Sequence, residues 1–443
     1  MATDLDANFP AHLGVIRARA DAALAAAGFD GLAIYSGRPR NHFLDDHGPP
    51  FKPNPHFLHW APLLDAPESF LLYTPGNRPH LLFHQPADYW YSPPVLPSEP
   101  WTQQFDIEVM RDPAEALRLL PVGARLAFIG EPQEEFAGWG FAAVNPPALL
   151  AHLHFHRAVK TAYEVECMRG ASLIGARAHL AAEAAYRSGA SEYEVHQAYC
   201  SASGLREQEL PYGNIVAFGT GAAVLHYQNP TRSRERPRPS FLIDAGAAVR
   251  GYASDITRTY SGGDAEFAAL IAAMDRAQQQ LCAAIRPGTD YREVHLLAHW
   301  LIAGVLREAG IVGCDQEGAV ATGVTRVFFP HGIGHLLGLQ VHDVAGLARD
   351  TSGAEIPRPE GHPFLRLTRT LEPGFTVTVE PGLYFIDLLL EQARGAEAGR
   401  HIRWDAVERL RPYGGVRIED DVHCTAGEPE NLTRAAFAAL GRA

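Results

Sequence analysis

Lysine is scarce, and no basic cluster offsets the acidic excess, which leaves a formal charge of −13 over 443 residues. That balance argues against nucleic acid or an anionic membrane surface as a partner. Cysteine is sparse too: Cys167, Cys200, Cys282, Cys314 and Cys424 are odd in number, far apart and never spaced as CxxC. The pattern suits reduced thiols in a cytoplasm and speaks against a disulfide framework or a thiolate metal site. No apolar run reaches the ~18 residues of a membrane span. The opening MATDLDANFP carries acidic residues and no apolar core, so no signal peptide is expected. What remains is the composition of a soluble globular chain, 47% hydrophobic and 20% charged. It is too long for one ordinary core, and two domains are expected.

Residues 11–36 read as an Ala-rich amphipathic helix stopped by Gly28, then a buried strand, GLAIYS. SFLLYTPG and PHLLFHQ read as a hairpin around Pro75-Gly76-Asn77. A short helix, ALRLLP, and another strand, RLAFIG, complete a small α/β domain over residues 1–160. Inside it, residues 41–60 form a long irregular stretch rich in aromatics and histidine, with Asp45 and Asp46, for which ordered contacts are expected. From Thr161 the character changes. Thr161-x-x-Glu164 and Ser191-x-x-Glu194 are capping boxes that open two helices. The pattern returns 99 residues later: Arg187, Gly189, Glu194, Val195 and His196 lie over Arg286, Gly288, Glu293, Val294 and His295. Residues 161–443 therefore read as one domain made of two helix–helix–strands units related by a pseudo-twofold axis.

The chemistry is sought between those halves. FLIDAGAAVRGYASDITRTY, residues 241–260, has two apolar runs flanking a small-residue turn, the pattern of a hairpin. With the turn centred on Val249-Arg250, Asp244 and Asp255 are cross-strand partners, their Cβ atoms ~4.5–5.5 Å apart. Two carboxylates so placed repel unless a cation lies between them. A turn centred elsewhere would leave one of them solvated. The second half supplies two more acids inside apolar strands, Glu380 in FTVTVEPG and Glu419 in GVRIEDD, where an unpaired charge is costly. Between them lies HGIGHLLGLQVHD, with His331, His335 and His342, which lacks the HExxH pattern of zinc peptidases. Four carboxylates sum to −4, and a neutral His335 adds nothing, so two divalent cations would balance the set. Oxygen ligands with one imidazole favour Mn²⁺, with Co²⁺, Zn²⁺ or Fe²⁺ as alternatives. Arg417 alternates with Glu419, and both point to one face of a strand. Its guanidinium suits bidentate capture of a carboxylate, or a structural pairing with Glu419.

The stretches FLDDHGPPFKPNPHF, PYGNIVAFGTGAAVLHYQN, LIDAGA with SDITRTY, HGIGHLLGLQVHDVAG, TVEPGLYF and GGVRIEDD occur in one order along nearly the whole chain. They resemble the pita-bread metallopeptidases, and among them the bacterial prolidases (Xaa-Pro dipeptidases), to which the organophosphorus acid anhydrolases are related. The resemblance implies an α+β protein: the small α/β domain followed by a pita-bread, creatinase/aminopeptidase-like catalytic domain. It implies a dinuclear centre held by Asp244, Asp255, His335, Glu380 and Glu419, commonly with Mn²⁺, in which Asp255 and Glu419 bridge the two ions. Glu380 would accept the proton of the attacking water. His331 and His342 would contact the substrate, and His226 and Arg417 would hold its terminal carboxylate. Tyr212 and Asp45 would line a small pocket, Asp45 arriving from the other subunit of a homodimer. The implied reaction is hydrolysis of Xaa-Pro dipeptides by a metal-bridging hydroxide. The alternatives are release of the residue before proline from longer peptides and a side activity on organophosphates.

Overall fold

The computed structural model describes residues 5–442; the first four positions of the stretch weighed as a signal peptide lie outside them, as does residue 443. The chain divides into two compact units, one of residues 1–167 with 250–252 and 348–355, the other of the remainder. Among the described residues no helix is long and apolar enough to cross a membrane, and no cysteine forms a disulfide.

The first unit is built on a six-stranded mixed sheet, in the order Asp106–Met110, His80–His84, Phe70–Tyr73, Gly31–Tyr35, Leu126–Ile129, Ala143–Val144. Gly31–Tyr35 is buried throughout, as a central strand covered on both faces should be. Its Ala33 and Tyr35 pack with Phe70, Phe128 and Phe136. The helix Leu5–Ala27 turns Phe9, Leu13, Ile16, Ala20 and Leu24 into the core. The expected hairpin at Gly76 is present, with Leu71 opposite Leu81. The stretch 41–60 is only partly irregular: Pro55–Trp60 is a helix capped by Asn54, whose side chain accepts from His56 N–H. The backbone hydrogen bonds of its first half are local to the loop: His42 N–H donates to His47 O at 2.8 Å and Asp45 N–H to His42 O at 3.1 Å. Residues 41–50 are exposed, including Phe43 at 92% and Leu44 at 91%.

The second unit carries two three-stranded antiparallel sheets. One is Thr257–Ser261, Ser240–Asp244, Ile215–Phe218; the other is Thr376–Val379, Asp420–His423, Glu430–Asn431. Gly382–Tyr384 and Gly415–Arg417 form a further antiparallel pair. A single bridge, Thr257 to Glu419, links the strands of the two halves. The repeat read from the sequence has a structural counterpart. Both capping boxes close: Thr161 N–H donates to Glu164 Oε2 at 2.8 Å, and Ser191 N–H to Glu194 Oε2 at 2.8 Å. Asp290, which aligns with Ser191 at the same offset, caps the helix Tyr291–Glu308.

The central hairpin differs from its expected register. Asp244 pairs with Thr257, not Asp255, and Ala245 N–H and Ser254 N–H donate to Ile256 O and Ala247 O. This centres the turn on Arg250-Gly251, whose φ angles are 50° and 88°. The cause is local. A two-residue hairpin turn matched to strand twist needs positive φ at both positions, which glycine adopts freely and β-branched Val249 resists. The shift is two residues, so Asp244 and Asp255 remain on one face as diagonal neighbours. The partner position of Asp255 is Gly246, where an added Cβ would lie 2.1 Å from Ser254 O and 2.9 Å from Tyr212 Cε1. Gly246→Ala is expected to destabilise the fold by about 1–3 kcal/mol, read as a lower midpoint of thermal unfolding. Gly395→Ala is the control, since its Cβ would meet nothing within 4 Å. Equal midpoints for the two variants would show that the strands open without strain.

Candidate active site

Five of the expected residues converge in the second unit. One ligand atom each from Asp255, His335 and Glu419 lie within 4.8 Å of one another, and all three residues are buried. His335 Nε2 is 3.5 Å from Asp255 Oδ2 and 3.7 Å from Glu380 Oε1. The His335 contact makes Glu380 the fourth member, and Tyr212 Oη, 2.7 Å from Asp244 Oδ1 and 2.5 Å from Asp255 Oδ1, ties in Asp244 as the fifth. A phenol carries one proton and donates to one of those oxygens at a time.

The electrostatics follow from this crowding. Burial, followed by the charges of Asp255, Glu380 and Asp244, pushes the Glu419 carboxyl well above the ordinary range. Burial lifts Glu380 to about 7, against the pull of His335. Asp244 is raised by burial, although Arg417 opposes the shift. Asp255 runs the other way: burial would raise it, but the hydrogen bond and charge of His335 hold it below the ordinary value. His335 is correspondingly raised, its carboxylate neighbours outweighing its burial. The donor set therefore fits divalent cations: oxygen-rich, buried, and poor in positive charge of its own.

Neighbouring groups fix each member. His335 Nδ1–H donates to Leu336 O at 3.0 Å, a tautomer that leaves Nε2 as the ligating nitrogen. Thr257 Oγ1 donates to Glu419 Oε2 at 2.6 Å. The three acids of Glu419-Asp420-Asp421 do three different things. Glu419 faces the cluster. Asp420 is paired with Arg258 and Arg434, each at 2.7 Å. Asp421 accepts the backbone N–H of Asp255 at 3.1 and 3.2 Å.

Arg417 is buried, and its partner is Asp244, at 2.7 Å, rather than Glu419. It also donates to Tyr384 Oη at 3.1 Å and to Thr257 Oγ1 at 3.2 Å. Tyr384 Oη lies 2.8 Å from His331 Nε2, and His331 Nδ1 lies 2.8 Å from Gly332 O. In the consistent assignment Arg417 donates to Tyr384, Tyr384 to His331, and His331 to Gly332. His331 also approaches Glu380 Oε2 at 3.6 Å. Burial and then Arg417 lower His331 to about 3. His342, whose ring is edge-on to His335 at 4.4 Å, is lowered to about 4 by burial and then His335. His226 is exposed, and its charge would act on both of these rings. Asp45 belongs to the other unit, on its exposed loop, where its carboxylate accepts from His47 N–H at 3.1 Å. Tyr384, Thr257 and Asp421 were missed from the sequence. Tyr384 follows Glu380 by four residues along an extended run, and that spacing was the available signal.

Two family models cover most of the chain: "Xaa-Pro dipeptidase, N-terminal domain" matches residues 7–155, and "Metallopeptidase family M24" matches residues 166–426. The chain is 53% identical over 438 residues to a protein of Stenotrophomonas maltophilia (strain R551-3) named Xaa-Pro dipeptidase, covering 98% of each. It is 51% identical over 430 residues to one of the same name from Xanthomonas campestris pv. campestris (strain 8004), covering 97% of each. Among solved structures it resembles the aminopeptidase PepP of Pseudomonas aeruginosa, with a TM-score of 0.72 at 24% identity, over 97% of this chain and 98% of that one. It also resembles proline aminopeptidase P II from Yersinia pestis, with a TM-score of 0.70 at 25% identity, over 96% and 99%. The two structural likenesses speak to the fold.

Thr257 orients Glu419 without belonging to the cluster. Thr257→Val, which removes one oxygen and little volume, is expected to weaken divalent-metal affinity ~10–100-fold. Equilibrium dialysis with elemental analysis measures this, and an affinity equal to that of the unaltered protein would remove Thr257 from the support of the site.

Proposed function

The chain belongs to metallopeptidase family M24, among the Xaa-Pro dipeptidases, and from that premise we propose that it hydrolyses dipeptides with a C-terminal proline. The observation that carries the reading is the convergence of Asp244, Asp255, His335, Glu380 and Glu419 in one buried cluster. M24 membership implies divalent cations. The reading takes two, which these five residues would hold. The oxygen-rich donor set favours Mn²⁺ over softer metals. When bound, such a pair would lower the pKa of a water and polarise the scissile carbonyl.

In this reading the protein's own groups do the rest. Glu380 accepts the proton of the attacking water. His342, kept neutral by burial, donates N–H to the oxygen that gains charge at the tetrahedral centre, and His331, likewise neutral with its one N–H held by Gly332 O, contacts the substrate beside it. Tyr384 and Arg417 hold His331 in place from behind. Arg417 and His226 recognise the substrate's terminal carboxylate, Arg417 sharing its charge with Asp244. Tyr212 lines the pocket while holding two carboxylates together. A second copy of the chain supplies Asp45, a reading supported by the exposure of Phe43 and Leu44 beside it. The N-terminal domain, residues 1–160, limits the length of the peptide that enters. The catalytic domain, residues 161–443, holds the metals. The place of action is the cytoplasm.

Mn²⁺-loaded protein is expected to cleave Ala-Pro and to leave a tripeptide with proline in second position intact. Cleavage of the tripeptide alone would make it an aminopeptidase. Exhaustive chelation should abolish turnover and Mn²⁺ should restore it. Glu380→Gln is expected to lower kcat ~10²–10⁴-fold, and unchanged turnover after either treatment would overturn the mechanism. Asp45→Ala is expected to raise KM and leave metal content unchanged. An unaltered KM would remove the second subunit from the pocket.

A further inference from the structure

A second group of potential ligands lies apart from the carboxylate cluster. His295 and His299 are four residues apart on the helix Tyr291–Glu308, a spacing that places two imidazoles on one helical face. His362 reaches them from the irregular segment that follows residue 356. One nitrogen from each of the three lies within 4.8 Å of the other two. The ring centroids are 4.6 to 4.8 Å apart. His295 and His299 are buried, at 1% and 2%, and His362 is half-buried.

These rings are not fully satisfied by the protein. His295 Nε2 and His362 Nδ1 are 2.9 Å apart and share one proton between two nitrogens. His299 Nδ1 is 2.9 Å from Thr325 Oγ1. His299 Nε2 and His295 Nδ1 are buried and make no hydrogen bond. A buried imidazole nitrogen without a partner is unfavourable, and here two of them occur within one three-ring cluster. A structural cluster of stacked histidines would account for the ring contacts, and Phe329 does pack on both His295 and His299. It would not account for the unbonded Nε2 of His299, which points to a ligand.

We propose that His295, His299 and His362 form a second metal site, for one Zn²⁺-class cation bound by three imidazoles with the fourth position open. Tetrahedral zinc–nitrogen bonds of ~2.0–2.1 Å set ligand nitrogens ~3.4 Å apart, within reach of the observed spacing. Thr325 orients His299 from its other nitrogen, the usual arrangement behind a ligating imidazole. Metal binding requires the proton shared by His295 and His362 to move to the far nitrogen of its own ring, so that both ligands stay neutral. Burial keeps His295 and His299 neutral, at about 2 and 3, which is the ligating form. Arg326 adds positive charge next to His299 and His362, which favours an anion such as chloride as the fourth ligand. An all-imidazole set suits Zn²⁺, Co²⁺, Ni²⁺ or Cu²⁺ and not Mn²⁺ or Mg²⁺, so Mn²⁺ that fills the carboxylate site leaves this one open. Phe329 also touches the ring of His331, at 4.8 Å, and so a metal here would stiffen the packing behind that residue.

The proposal does not depend on the peptidase reading, and its readout is stoichiometry and spectrum, not turnover. The Mn²⁺-saturated full-length protein is titrated with Zn²⁺ and, separately, with Co²⁺, beside His362→Gln and His299→Ala. His362→Gln, at the half-buried position, guards against a failure of His299→Ala to fold. The unaltered protein is expected to bind one more Zn²⁺ per chain than either variant, and to show the visible absorption of tetrahedral Co²⁺ that both variants lack. Equal zinc content in the unaltered protein and His362→Gln, with the same Co²⁺ spectrum, would overturn the site.

Discussion

Four carboxylates and one imidazole share a buried volume in which the carboxylates repel, and the second unit is arranged around that repulsion. Glu419, Glu380 and Asp244 all sit above their ordinary pKa range, with burial the first cause in each. Only Asp255 is depressed, and its support comes from His335. Arg417 brings a positive charge to the cluster, shared with Asp244 at 2.7 Å. A protein that buries so much negative charge without matching it gains nothing in stability from the arrangement. The surrounding structure therefore has to hold the carboxylates in place: Thr257 holds Glu419, Tyr212 bridges Asp244 and Asp255, and Asp421 grips the backbone of Asp255.

That holding depends on backbone detail. Thr257 reaches Glu419 because the two residues form the bridge between the strands of the two halves. Tyr212 reaches both aspartates because Gly246 leaves room for its ring. The turn at Arg250-Gly251 sets which residues of the ribbon face each other. A slip of one residue would have turned one aspartate to the opposite face, whereas a slip of two only converts a direct pair into a diagonal one. The alternation of the strand, more than the centre of the turn, places both acids at the site.

This separates what was legible in the sequence from what was not. Capping boxes, helix stops and the 99-residue repeat are local patterns, and Thr161, Ser191 and Asp290 occupy the helix starts expected of them. Glu380 and Glu419 stood out because charge inside apolar strands is costly wherever the partners lie, Asp244 and Asp255 because a hairpin brings two like charges to one face, and His335 because it lies in a His- and Gly-rich stretch between them. The register failed because Val249-Arg250 and Arg250-Gly251 both satisfy the hydrophobic pattern, and only the requirement for positive φ separates them. The partner of Arg417 was equally hidden. Glu419 is its neighbour along the strand, but Asp244, distant in sequence, is brought closer by the fold. Tyr384 carries no charge in a stretch already explained by Glu380. The last six residues of the 41–60 stretch were misjudged because Asn54 and Pro55, loop residues by composition, also start helices.

The two histidine groups differ in a way that bears on metal choice. His335 lies among oxygens, its far nitrogen tied to a backbone carbonyl, and its free nitrogen faces carboxylates. His295, His299 and His362 face one another and an aromatic ring, with Arg326 as the nearest charge. Net charge draws hard divalent ions to the first place and offers them nothing at the second. Neutral nitrogen donors draw borderline ions to the second, where no carboxylate competes. A chain that loads both kinds of cation can keep them apart only if the sites differ in this sense. The difference lies in the side chains themselves and requires no movement of the fold.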